Sequence, residues 1–313
     1  MKAIAQKIGS AVVLLCLSAL SADAACTVSA TDLNFGAYDT TAGSATDSVG
    51  TVHVNCTGLS LLLTYRVYLS TGGSGSYPLR EMGGTGTPLG YNLYTDTVHT
   101  AVWGDGTGAT SYNGNTVLLS LLAPYNAYYT AYGSIPQEQN VPAGTYSDTI
   151  DVALVQIGLL GAETLLDTTT FTVTSTVLPE CTVTAANMDF GVYDPSAAGD
   201  AAATSEISVK CTDGTDYQIA LDAGTGAGAT YGGRVLTGQT DGSATLTYNL
   251  YTDGGYTTVW GDGSGVTGVI SGQGDGLVGA VLPDAHTVYG RIPPYQDVLP
   301  QTYKDTITVT VTY

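Results

Sequence analysis

The sequence predicts an all-β protein built from two tandem sandwich domains, the second of which lacks its final strand. Three observations predict this class: the chain nearly repeats itself, its apolar residues alternate with a period of two, and its two copies end differently. The composition is consistent with strands and tight turns, since Gly and Thr are abundant and 22 Tyr stand against 3 Phe.

The repeat is carried by short motifs that recur in the same order. CTVSA starts at Cys26 and CTVTA at Cys181, while YNLYTD starts at both Tyr91 and Tyr248. The other pairs are FGAYD and FGVYD, VHVNC and VKC, two copies of VWGDG, GSIP and GRIP, and TYSDTI and TYKDTI. The offset is 155 residues up to the second Cys and 157 afterwards, so a two-residue loop change separates the copies. A repeat this long indicates a duplicated domain.

Alternation of apolar and polar residues predicts the strands themselves. The alternating apolar sets are Val52, Val54 and Cys56; Ile207, Val209 and Cys211; and Ile307, Val309, Val311 and Tyr313. Short alternating runs separated by Gly-rich turns are typical of a β-sandwich.

The first 24 residues have the features of a secretory signal peptide. Lys2 and Lys7 precede an apolar stretch over 8–20, and an A-x-A cleavage signal ends at Ala24. The apolar stretch is shorter than the roughly 20 residues that span a bilayer. We therefore expect export and two domains, at 25–178 and 179–313.

The exported chain is strongly acidic. Removing Lys2, Lys7 and Asp23 with the leader leaves 6 basic and 26 acidic residues, a formal charge of −20. Such a surface argues against binding to nucleic acid and to anionic membranes.

Four cysteines remain after the leader, and they fall two per repeat. Cys26 and Cys56 are 30 residues apart, as are Cys181 and Cys211. An even count in an exported protein indicates disulfides, and the identical spacing favours pairing within each repeat. Each bridge would contribute roughly 3–4 kcal/mol by restricting the unfolded chain.

The two copies differ in how they end. Copy one continues through IGLLGAETLL (157–166) into TTTFTVTSTV (168–177), whose alternating face suits a final strand that completes the sandwich. Copy two ends with DTITVTVTY (305–313). We expect it to keep an apolar groove and an unpaired edge, which receive a strand from a partner. The expected groove residues are Ile307, Val309, Val311 and Tyr313.

We further expect that the chain donates no strand of its own. Cleavage after Ala24 leaves one residue ahead of Cys26, whose motif already opens the first domain. A chain that accepts a strand and gives none should sit at one end of an assembly.

The ordered motifs resemble the spore coat U (SCPU) domain, a family that supplies subunits of archaic chaperone–usher pili. The resemblance covers essentially all of 26–155 and 181–313, and a self-complete domain followed by an incomplete one looks like the tip adhesin of such a pilus. It implies immunoglobulin-like, pilin-type domains and a location at the cell surface after passage through the periplasm. The implied partners are a periplasmic pilus chaperone, an outer-membrane usher, the donor strand of the next pilus subunit, and an abiotic or host surface. The implied role is surface attachment and biofilm formation.

Three segments are more apolar in copy one than in copy two. They are TGLSLLL (57–63), LLAPYNAYYTAY (121–132) and IGLLGAETLL (157–166). Connections of this kind gather at one end of an immunoglobulin-like sandwich, where they would form an exposed apolar surface. The candidate surface-binding residues are Leu59, Leu61, Leu62, Tyr125, Tyr128, Tyr129, Ile157, Leu159 and Leu160.

Other interpretations are open at this point. Leu61 and Leu63 can be core strand residues, and Tyr128, Tyr129 and Tyr132 can pack beneath a sheet. The protein can be a structural two-domain pilus or coat subunit, or a lectin in which Tyr125, Tyr128 and Tyr129 stack on a sugar.

The sequence predicts neither enzymatic activity nor a cofactor or metal. His53, His99 and His286 are scattered, and no nucleophile motif or facing pair of carboxylates stands out. Asp39, Asp105, Asp194, Asp262 and Asp275 are interpreted as turn residues.

Overall fold

The computed structural model describes residues 25–58, 60–119 and 123–313. The predicted leader, 1–24, and Leu59 lie outside the described residues, as do the side chains of Leu61 and Leu159. In the described part, no helix has the length and apolar character needed to cross a membrane.

Residues 25–177 form a first sandwich of two five-stranded sheets. Its strands are β1 (Ala25–Ala30), β2 (Leu33–Tyr38), β3 (Thr46–Thr57), β4 (Ser60–Leu69), β5 (Arg80–Met82), β6 (Leu89–Tyr94), β7 (Asn113–Leu119), β8 (Tyr125–Ile135), β9 (Gly144–Ile157) and β10 (Glu163–Val177). The sheet orders are β1-β3-β8-β6-β5 and β2-β10-β9-β4-β7. Short 3₁₀ turns lie at Gly72–Ser74 and Leu159–Gly161.

Residues 181–312 form a second sandwich whose described residues contain no counterpart of β2 or β10, and in which the counterpart of β9 is divided into two short strands. Its strands are β11 (Cys181–Ala185), β12 (Ala201–Cys211), β13 (Asp216–Leu221), β14 (Arg234–Gly238), β15 (Thr245–Tyr251), β16 (Ile270–Gln273), β17 (Asp284–Ile292), β18 (Tyr303–Lys304) and β19 (Val309–Thr312). The sheet orders are β11-β12-β17-β15-β14-β18 and β16-β13-β19. The all-β fold class is confirmed, and among the described residues the second sandwich has no strand in the place of β10.

Period-two alternation places one face of each strand in the core. Val52, Val54 and Cys56 of β3 are buried while their neighbours are half-buried, and β12 repeats the pattern with Ile207, Val209 and Cys211. Each copy therefore has an apolar cluster between its two sheets.

The two disulfides join neighbouring strands, as the cysteine spacing predicts. Cys26 of β1 lies directly opposite Cys56 of β3, and Cys181 of β11 lies opposite Cys211 of β12. Their Cα–Cα distances are 4.0 and 4.1 Å.

Strand β10 completes the first sandwich between two neighbours. It pairs in antiparallel fashion with β9 along its whole length and in parallel fashion with β2. The predicted strand at 168–177 is thus present, but it begins earlier, at Glu163. Because β9 runs through Ile157, the connection expected over 157–166 is reduced to 158–162.

Candidate strand-binding groove and tip surface

An open groove of about 1120 Å³ runs along the second sandwich. One wall is the segment 188–193 and the other is 305–309. Its floor consists of core side chains from both sheets, namely Leu221, Leu246, Tyr248, Leu250, Val288 and Ile292. Met188 and Phe190 on one wall and Ile307 and Val309 on the other are half-buried rather than buried, so the groove exposes part of the core to solvent.

The first sandwich has the same walls, but β10 lies between them. Leu33 and Phe35 of β2 and Ile150 and Val152 of β9 are all buried, at 7 % exposure or less. Their counterparts in the second sandwich are Met188, Phe190, Ile307 and Val309. Those residues are only partly buried, because no strand of the described residues covers them. The groove is therefore the space that a final strand occupies in the first copy.

The missing neighbour also changes the backbone of both walls. Residues 188–193 form no strand, whereas their counterpart β2 pairs only with β10. Residues 305–308 interrupt the strand that is continuous in β9, which corrects the expected single strand over 305–313. Strand β19 pairs with β13 alone and so presents an unpaired edge to the groove.

Two of the four predicted groove residues line the groove. Ile307 and Val309 belong to its wall. Val311 lies further along β19 opposite Ile219 and packs against the core. Tyr313 is 55 % exposed and lies outside the lining described here, and its assignment to the groove stays a prediction. The residue follows the last residue of β19 and has no cross-strand partner to turn it inward.

Hydrogen bonds hold the walls of the groove in place. Tyr193 Oη donates to the carbonyl oxygen of Pro293 at 2.9 Å and accepts from the Gln296 N–H at 2.9 Å. On the other wall, Asp305 accepts from Tyr248 Oη at 2.8 Å and from the Thr225 N–H at 2.8 Å. Burial, followed by the bond to Asp305, raises the pKa of the Tyr248 hydroxyl, which stays a neutral donor. The first sandwich contains the equivalent bonds, so both copies anchor their walls at the same positions.

The strand ends that flank three connections of the first sandwich lie at one end, here called the tip. Cys56 lies opposite Tyr125, which brings the end of β3 beside the start of β8. Ser60 lies opposite Leu119, and Tyr65 lies opposite Gln156. The ends of β3, β7 and β9 and the starts of β4, β8 and β10 therefore lie at the same end of the sandwich.

The candidate tip residues divide between solvent and core. Leu62 and Tyr128 are each 69 % exposed, and Leu160 is fully exposed. Ile157 is half-buried at the end of β9, and the described backbone places Leu61 on β4 and Leu159 in the 3₁₀ turn. Tyr128 lies away from the leucines, on the outer face of β8, where it stacks on His53 with ring centroids 4.4 Å apart.

Tyr125 and Tyr129 point inward, which leaves Tyr128 as the exposed member of the predicted sugar-stacking set. Their hydroxyls meet Tyr65 Oη, at 3.3 Å from Tyr125 and 2.8 Å from Tyr129. Both rings are half-buried and pack against the core, and Trp103 meets Tyr129 edge-on. Burial and these hydroxyl neighbours raise the pKa of Tyr65.

Two exposed leucines near the tip were missed from the sequence. Leu118 is 70 % exposed on β7, beside Val117 and Leu119, which are buried, and Leu165 is 60 % exposed on β10. The sequence gives no signal for this, because Val117, Leu118 and Leu119 are all apolar and only their burial alternates. Leu118 lies on the same outer sheet face as Leu62, since β7 pairs with β4 there and Leu63 faces the core.

The acidic turns hold their own backbone. The carboxylates of Asp39, Asp105, Asp194 and Asp262 each accept from the N–H two residues on, at 2.7–2.9 Å. Over the residues that the structure describes, no group of three or more His, Cys, Asp or Glu side chains is arranged to hold a metal ion.

Comparison with known proteins finds one family and several solved structures. Residues 11–153 and 167–310 each match the Spore Coat Protein U domain. Protein U of Myxococcus xanthus is 36% identical over 129 residues, which cover 38% of this chain and 68% of that protein. A chain of the CsuC–CsuE chaperone–tip adhesion subunit complex from the Csu pili of Acinetobacter baumannii aligns with a TM-score of 0.46 and 17% identity, covering 92% of this chain and all of that one. The CupB6 tip adhesin of Pseudomonas aeruginosa aligns with a TM-score of 0.43 and 10% identity, covering 92% and 94%.

Proposed function

Because the chain belongs to the spore coat protein U domain family, we propose that it is the tip adhesin subunit of an archaic chaperone–usher pilus. In this proposal 25–178 is a self-complete adhesin domain and 179–313 is the pilin domain that joins the fibre. The chain is exported and displayed at the cell surface, where it promotes attachment and biofilm formation without enzymatic chemistry.

One observation carries the proposal: the groove that β10 fills in the first sandwich is open in the second. An unfilled groove with an unpaired strand edge is the geometry for β-strand addition, in which main-chain bonds supply affinity and side-chain pockets supply specificity. The proposed occupants are a periplasmic chaperone before assembly and the donor strand of the next subunit afterwards, with an outer-membrane usher between the two stages.

The adhesive surface is assigned to the tip of the first sandwich. Leu62, Leu118 and Leu160 are exposed there, and such apolar exposure usually marks an interaction surface. Burial of apolar area is non-directional and contributes about 25 cal/mol per Å², so these side chains suit abiotic or host surfaces of varied chemistry. The inward Tyr125 and Tyr129 make a sugar-stacking site less favourable than an apolar contact.

We test the adhesive assignment by replacing Leu62 and Leu160 together with Asp in bacteria that display the pilus. We expect attachment to polystyrene to fall at least tenfold, because two carboxylates must then lose water at the contact. Fibre yield, measured by immunoblot of sheared pili, should stay unchanged. Val98→Asp is the matched control, since Val98 is 72 % exposed on the same sandwich but lies outside the three tip connections. Normal attachment by the double variant on normal fibres would refute the assignment.

A further inference from the structure

The first sandwich indicates which side chains the open groove of the second is shaped to hold. Strand β10 places four side chains into its own groove, and all are buried at 3 % exposure or less: Phe171, Val173, Ser175 and Val177. The walls around them recur in the second sandwich. The second sandwich has Phe190, Ile307 and Val309 at the positions of Phe35, Ile150 and Val152. Among the wall positions compared, only Leu33 has a different counterpart, Met188.

The pairing of β10 also gives a register for the missing strand. Phe171 lies opposite Ile150 and Ser175 lies opposite Tyr146. Counting 157 residues on, these partners correspond to Ile307 and Tyr303 in the second sandwich. Because a shift of one residue would turn every inward side chain outward, this register decides which residues of a partner enter the groove.

One inward position has a polar requirement. Ser175 Oγ donates to the carbonyl oxygen of Gly36 at 3.2 Å, where β2 bulges and Gly36 adopts φ +74°. In the second sandwich Gly191 keeps this conformation, with φ +68°, and its N–H bonds to Asp189 Oδ1 at 2.8 Å. The bulge is thus present without a strand against it, and the Gly191 carbonyl oxygen is not bonded by a side chain in the described residues.

We propose, on the basis of the function proposed above, that the partner strand has a fixed inward pattern at every second residue. A bulky apolar residue lies opposite Ile307, a branched aliphatic residue opposite Asp305, and a small hydroxyl residue opposite Tyr303. A second branched aliphatic residue follows opposite Gln301. The hydroxyl of the third residue donates to the carbonyl oxygen of Gly191.

The test uses the full exported chain and a labelled synthetic peptide with the sequence of 168–177, followed by fluorescence anisotropy. We expect this peptide to bind, and Ser175→Ala in the peptide to weaken binding roughly fivefold through loss of one hydrogen bond. Ser175→Leu should weaken it more than about tenfold, because the pocket is already filled by a smaller side chain. A peptide in which Phe171 and Val173 exchange places with Thr172 and Thr174 has the same composition and should not bind.

The protein variant Ile307→Lys locates the bound peptide, since Ile307 lines the open groove and has no role in the first sandwich. This variant should bind none of the peptides. If the peptides with Ser, Ala and Leu at position 175 bind the wild-type chain equally, the proposed pattern is wrong. If none of these peptides binds Ile307→Lys, the proposed groove function still holds. If no alternating peptide binds the wild-type chain, the groove function itself is refuted.

Discussion

At the scale of single residues, one arginine lies at the centre of each sandwich. Arg80 is fully buried and donates to Asn92 Oδ1 at 2.6 Å and to the carbonyl oxygens of Ser70 and Trp103, both at 2.7 Å. Arg234 repeats the arrangement in the second copy. Burial lowers the pKa of the Arg80 guanidinium, which is surrounded mainly by neutral acceptors. The sequence did not reveal this role, because arginine is mostly exposed in folded proteins.

We expect Arg80→Met to destabilise the first sandwich by about 3 kcal/mol or more, since several buried acceptors then lose their donor. The change is measured by urea unfolding at equilibrium. Arg66→Met is the control, because Arg66 forms a partly exposed ion pair with Glu163 at 3.4 Å and should cost less than about 1 kcal/mol. Similar losses in the two variants would contradict a structural role for the buried guanidinium.

At the scale of elements, sequence patterns located strands better than their ends. Alternation over 168–177 correctly predicted the inward face of β10. The start at Glu163 was missed because a bulge between Leu165 and Asp167 changes the phase of the alternation. The break at 305–308 was missed for a different reason. The sequence there matches that of β9, and only the missing neighbour distinguishes the two structures.

Strand β10 should be essential to the first sandwich. Phe171 is 3 % exposed between the two sheets, so Phe171→Ala should cost about 3–5 kcal/mol by leaving a cavity. Thr172→Ala on the outward face should cost far less. Thermal unfolding followed by circular dichroism compares the two variants, and equal melting temperatures would show that β10 does not complete the core.

At the scale of the whole molecule, the two apolar clusters share no residue. The sandwiches meet instead through loops: Asn140 Nδ2 donates to the carbonyl oxygen of Asp275 at 3.0 Å, and the Ala143 N–H donates to that of Asp213 at 3.4 Å. The contacts between 140–143 and the second sandwich could not be predicted from the repeat. Comparing the two copies shows which motifs they share, but it gives no information on contacts between them.

Two separate cores predict two steps of thermal unfolding in residues 25–313. The second sandwich should unfold first, because the walls of its groove are only half-buried, whereas those of the first are buried. The measurement is differential scanning calorimetry with and without the 168–177 peptide. The peptide should raise the midpoint temperature of the lower transition and leave that of the upper transition unchanged. A single transition with equal calorimetric and van't Hoff enthalpies would argue against independent cores.

The position of β10 has a mechanical consequence. The chain leaves the end of this strand at Val177 and reaches β11 within a few residues, while the tip lies at the strand's other end. A pull between the tip and the second sandwich is therefore directed along β10, and its ladders to β2 and β9 are loaded together in shear. Bonds loaded in this way must fail collectively rather than one after another. Under such a pulling force, the lifetime of the first sandwich should then depend on the rate at which β10 slides out, rather than on the equilibrium stability of the sandwich.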